Sequence, residues 1–136
     1  MHDEGTADPQ VRARLADLAV STEVLACELR SARLLATVVA VLDEPDPNGG
    51  EKDSHMAVVS MVNERGERGL LAFTGLDSLR SWNPQARPVP ALGRDIARAA
   101  LADGAAAVVV DVQGPHRRVF AGPDLATLSD PAPTTA

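Results

Sequence analysis

Residues 56–90 read M-A-V-V-S-M-V-N-E-R-G-E-R-G-L-L-A-F-T-G-L-D-S-L-R-S-W-N-P-Q-A-R-P-V-P. Two apolar runs, Met56–Val62 and Leu70–Thr74, face each other across a polar turn that contains Gly66 and Gly69. That pattern predicts a β-hairpin. Thr74-Gly75-Leu76-Asp77 has the form of a capping box with Asp at the third helical position, so a short helix with Leu76, Leu79 and Trp82 inward should follow. Pro84, Pro88 and Pro90 then break helix and favour extended backbone, which places Arg87–Ala91 at a sheet edge.

Working outward, Leu34–Leu42 (L-L-A-T-V-V-A-V-L) and Ala105–Val112 (A-A-A-V-V-V-D-V) are apolar at successive positions. Such runs suit interior strands covered on both faces, and a carboxylate at Val109 should then unfold the domain. Between the hairpin and the second run, Leu92, Ile96 and Ala100 mark a helix that stops at Gly104. Near the N-terminus, Asp8-Pro9 opens a helix expected over residues 8–20, with Val11, Leu15 and Leu18 as its stripe. Ser21 or Thr22 caps a second segment over residues 23–31 that a strand fits nearly as well. Arg117–Phe120 returns as a short strand, and Gly122-Pro123-Asp124 opens a last helical turn through Leu128. The expected fold is α+β (mixed α/β): a single sheet of about five strands with helices packed on it. One domain spans residues 8–128, between a disordered lead (1–7) and a disordered tail (129–136).

Composition excludes several function classes. The 136 residues are 45% hydrophobic but only 2% aromatic, so Ala, Val and Leu must build the core. No apolar run reaches the ~18–20 residues that span a bilayer, and the acidic start lacks a signal-peptide pattern. A cytoplasmic protein that does not enter a membrane is the expectation. Residues 1–56 hold 11 acids and 5 bases, whereas residues 57–136 hold 8 of each. That imbalance opposes nucleic-acid binding, which needs a basic face.

Candidate chemistry is sparse. The acidic loop Asp43–His55 fails as a calcium loop: with Asp46 first, Glu51 replaces the glycine at position six and Ala57 the glutamate at position twelve. No phosphate-binding glycine motif and no nucleophile elbow occurs. Cys27, the one cysteine, is expected as a small buried hydrophobe. No catalytic residue, metal or cofactor is therefore assigned. Two places remain. One is a surface formed by Glu51, Lys52, Asp53 and His55 with Trp82 and Arg87, because a charged loop, an aromatic at a helix end and a forked donor suit a protein interface. Trp82 has a second reading, as cover for a core of small residues. The other place is Asp111, at the end of a buried strand, where α/β ligand sites lie if neighbouring strands are parallel.

The strand at 34–42, E-K-D-S-H-M-A (51–57), G-E-R-G-L-L-A-F-T-G (66–75), L-R-S-W (79–82), A-R-P-V-P (86–90), A-V-V-V-D-V-Q-G-P (107–115) and A-G-P-D-L-A-T-L (121–128) together resemble the SseB family, in the N-terminal-type domain of its actinobacterial members. The chain departs from that pattern at Thr37, Val59 and Leu71, where the family often has proline. The resemblance implies a small cytoplasmic domain with no established reaction, no catalytic residues to carry over and no cofactor. The function expected is a non-enzymatic interaction or regulatory module whose partner is another protein, a second copy (a homodimer) included. The alternative is a small-ligand sensor with its pocket near Asp111; a third, less favoured reading is an uncharacterised enzyme, which would need two titratable groups converging in one cleft.

Overall fold

The computed structural model describes residues 5–42, 54–58, 60–62, 64–114 and 116–130. In chain order the elements are α1 (Pro9–Ala16), α2 (Thr22–Leu29), β1 (Arg33–Leu42), β2 (Ser54–Val58), β3 (Ser60–Val62), β4 (Arg68–Phe73), α3 (Leu76–Trp82), β5 (Arg87–Leu92), α4 (Gly93–Ala102), β6 (Ala107–Val110), β7 (Arg118–Ala121) and α5 (Pro123–Ser129). Helices lie on one mixed sheet, the expected α+β class.

β1 pairs antiparallel with β5 along one edge. Its other edge takes β4 at Leu35 and Ala36, then β2 from Val38 to Leu42. β4 carries β1 and β3 on one edge and pairs parallel with β6 on the other. β7 completes the sheet, antiparallel to β6. β2 and β3 thus fill the space where β1 and β4 diverge. Both long apolar runs are interior, as their composition predicts. β5, with Pro88 and Pro90, pairs on one side only among the described residues, which suits residues that cannot donate to a ladder.

The core is two-sided and unequal. Leu34, Ala36, Leu70, Ala72, Val108, Val110 and Phe120 point to the face covered by α1, α2, α4 and α5, where Leu15, Leu25, Leu29, Ile96, Leu125 and Leu128 meet them. The opposite face holds Leu35, Leu71, Phe73, Leu79 and Ala86, under α3 alone. Small residues allow close approach: a Cβ on Gly93 would sit 2.0 Å from the Leu29 carbonyl oxygen, so α4 starts against the end of α2.

Several expectations need correction. α1 ends at Ala16 because Asp17 turns to extended backbone while its N–H still reaches the Arg14 carbonyl. Leu18 is consequently 92% exposed and does not extend the stripe. The second segment is helical, with the Ser21 hydroxyl accepting from Val24 N–H. Cys27 is exposed, on the outer side of α2, and is no core residue. Thr74 does not cap α3: Gly75 stands at the cap, and the Ser78 hydroxyl donates to its carbonyl at 2.9 Å. β6 is interior but not covered on both faces, since Val108 and Val110 are buried while Ala107 and Val109 are half-buried. Of the expected disordered lead, Gly5 is buried and accepts from Leu76 N–H at 2.7 Å, so residues 5–7 pack beside α3; residues 1–4 lie outside the described residues. At the other end Ser129 belongs to α5 and Asp130 lies 3.6 Å from Arg30, so these two residues are held against the domain; residues 131–136 also lie outside the described residues.

Candidate functional site

Since β4 and β6 run parallel, their C-terminal ends stand side by side, each closed by a polar residue. Thr74 follows β4 and Asp111 follows β6. The Asp111 carboxylate is only 8% exposed. Its Oδ1 accepts from Thr74 N–H at 2.8 Å and its Oδ2 from the Thr74 hydroxyl at 2.7 Å. That hydroxyl accepts in turn from Arg12 Nε at 2.9 Å, and the remaining Arg12 nitrogens fork onto the Asp77 carboxylate. A continuous polar chain, Asp77–Arg12–Thr74–Asp111, therefore ties α1, α3 and the ends of two strands together. The fork keeps Asp77 below the usual aspartate range, chiefly through the Arg12 hydrogen bond, and raises Arg12 by the same contact. Asp111 has φ of 52°, a left-handed conformation that is costly for a non-glycine residue. Gly114 permits the turn by bringing its backbone against the Asp111 side chain; a Cβ there would lie 3.2 Å from that of Asp111.

This network borders a cavity of about 380 Å³ lined by Arg12, Leu15, Asp77, Ser78, Ser81, Asp111 and His116. Asp111 was legible in the sequence as the end of a buried run. Thr74, Arg12 and His116 were not assigned to it. The available signal was that L-L-A-F-T and A-V-V-V-D both end an apolar run on a polar residue.

A second feature is the sheet face opposite the main helical layer. α3 covers it over β1 and β4 only. Beyond α3 a concave apolar region of about 630 Å³ spans β3, β4, β6 and β7, with Met61, Val62, Val109 and Val119 among its lining. Met61 is 45%, Val62 63% and Val119 45% exposed. Arg65, Arg68 and Arg117 line it against one acid, Glu67.

The surface expected from the sequence is only partly placed. Glu51, Lys52 and Asp53 lie outside the described residues. His55 sits in β2, opposite Val41 of β1. Trp82 ends α3 with its ring centroid 5.7 Å from that of Phe73, packed against the smaller core cluster. Arg87 is exposed at the start of β5. Trp82 thus has the covering position that its second reading gave it.

The molecule is an α+β domain whose two distinctive places are a polar pocket at parallel strand ends and a partly open sheet face. The family model for the SseB protein N-terminal domain matches residues 11–127, and the chain belongs to that family. No curated protein and no solved structure matches it. Among the described residues, no helix is long and apolar enough to cross a membrane.

Proposed function

We propose that this SseB-family domain is a cytoplasmic, non-enzymatic protein-interaction module, and that it docks its partner on the open face of β3, β4, β6 and β7. The observation that carries the reading is the coincidence of exposed Met61, Val62 and Val119 on one contiguous concave surface. Apolar patches of this kind, rimmed by polar groups, mark interaction sites. Charge selects the occupant. Arg65 pairs with Glu67 at 3.8 Å and Arg68 with Asp103 at 3.1 Å, and Arg117 adds a third arginine, so the rim carries a small positive surplus on a chain of net charge −6. The partner that fits is a protein segment with apolar side chains flanked by acids, since complementary charge both steers and orients association. A second copy fits less well, because two basic rims would meet across a two-fold axis.

The test is site-specific photo-crosslinking in the native cell, with the crosslinker at Val62 or Val119, and at Leu18 as a control on a different surface. Adducts from the first two positions should map to acid-rich segments of another protein, and Arg117→Glu should reduce their yield several-fold. Arg87→Glu, at the surface expected from the sequence, should leave the yield unchanged. Equal capture from Leu18, capture of basic segments, or loss with Arg87→Glu alone would overturn this placement. Adducts between two copies of the chain would replace the partner with a homodimer.

A further inference from the structure

The strand-end pocket has a lining distinct from that of the docking face and carries an independent inference. Asp111 is buried to more than nine-tenths, yet both of its hydrogen bonds come from Thr74, a neutral residue. A carboxylate offers about four acceptor sites, so two remain. Among the described residues no cation hydrogen-bonds to it: Arg12 forks onto Asp77, gives its Nε to Thr74 and attracts the Asp111 carboxylate only through space. Arg12 and Asp77 largely neutralise each other, and the lining keeps the charge of Asp111 as its surplus. A buried charge without a direct counter-ion is costly, and a ligand that supplies the counter-ion recovers that cost.

We infer that this pocket binds a small organic cation, with a primary ammonium group seated against Asp111. An ammonium has three donors. The Asp111 carboxylate at the strand end and, one turn apart on α3, the Asp77 carboxylate and the Ser81 hydroxyl supply acceptors, and Leu15 supplies an apolar surface for a short alkyl chain. A metal ion is the less suitable cation, because no described group of three or more His, Cys, Asp or Glu side chains could hold one. An anion is unsuitable too, since the one arginine in the lining is already engaged by Asp77. The inference gives the sensor reading of the Asp111 site a ligand class and leaves the docking face out of account.

The experiment is a titration of the ¹⁵N-labelled protein with butylammonium chloride, with 1-butanol and sodium butyrate as probes of matched size. Butylammonium should produce saturable shifts at the Thr74, Asp111, Gly114 and His116 amides, while the two controls produce none. Asp111→Asn should weaken binding by at least about tenfold. Asn tolerates the left-handed backbone and still accepts from the Thr74 N–H, so the fold should persist. Ser81→Leu, at an exposed position of α3, should block the pocket without touching the Thr74–Asp111 pair. Absence of saturable shifts, preference for butyrate, or unchanged affinity in both variants would overturn the inference and leave the network a structural clasp for α1.

Discussion

The Thr74 hydroxyl donates to Asp111 Oδ2 at 2.7 Å while accepting from Arg12 Nε, so one neutral side chain separates a buried carboxylate from a guanidinium. Both charged groups depend on it. Thr74→Val removes the hydroxyl at nearly constant volume and leaves one oxygen of Asp111 and Arg12 Nε without this partner. Urea unfolding should show a loss of about 1–3 kcal/mol. Thr74→Ser keeps the hydroxyl and should lose less than half as much; equal losses would show that packing, not the bond, is responsible.

Adjacent residues of β6 should respond very differently to a carboxylate. Val108 is fully buried in the larger core cluster, so Val108→Asp should cost most of a typical ~5–15 kcal/mol stability and prevent folding. Val109 faces the open side, where a carboxylate reaches water. Val109→Asp should therefore fold with a loss of about 1–2 kcal/mol, in contrast to the unfolding that its apolar run suggests. Circular dichroism melts of the pair decide this.

Gly93 is fixed by contact and not by φ. Its added Cβ would meet the Leu29 carbonyl at 2.0 Å, and backbone cannot yield as a flexible side chain would. Gly93→Ala should thus destabilise by about 1–3 kcal/mol despite the better helix propensity of alanine. A variant as stable as the parent would mean that α2 and α4 are not in this contact.

The Arg12–Asp77 fork predicts a small dependence of stability on pH. Asp77 is lowered in the folded state, so its contribution is fully present above the unfolded aspartate value of about 3.9 and is lost as pH falls through the lower folded value. The Asp77 side chain is 68% exposed, which keeps the contribution below about 1 kcal/mol and makes it sensitive to salt. Asp77→Asn should remove that part of the dependence; the gap between parent and variant should close as pH falls through the lowered folded value of Asp77 and narrow at 1 M salt. A gap that stays constant across pH would assign the effect to shape.

The interior strands, the proline-bearing edge and α4 were readable because periodicity and backbone chemistry act locally. Where the reading failed, a helix end or a distant partner decided. Leu18 continues the stripe of α1 in sequence, but Asp17 leaves the helix one residue earlier. Thr74 has the chemistry of a cap, yet Asp111, 37 residues away, holds it more strongly with two hydrogen bonds. The open face could not be read either, because an apolar strand does not state whether a helix covers each side. Asp111 was found since a polar residue at the end of a buried run signals itself; its neighbours Arg12 and His116 arrive from elements whose sequence carries no such mark.

The first helices pack against the last. Leu15, Leu25 and Leu29 share one cluster with Leu125 and Leu128, and β6 and β7 join the sheet only after β5 has crossed to the far side of β1. During synthesis the apolar faces of α1 and α2 consequently stay partly uncovered until Leu125 and Leu128 of α5 have been made. A chain cut before Gly122 would leave that surface open to chaperones and proteases, so premature termination anywhere in this domain yields material for degradation and not a shorter working module.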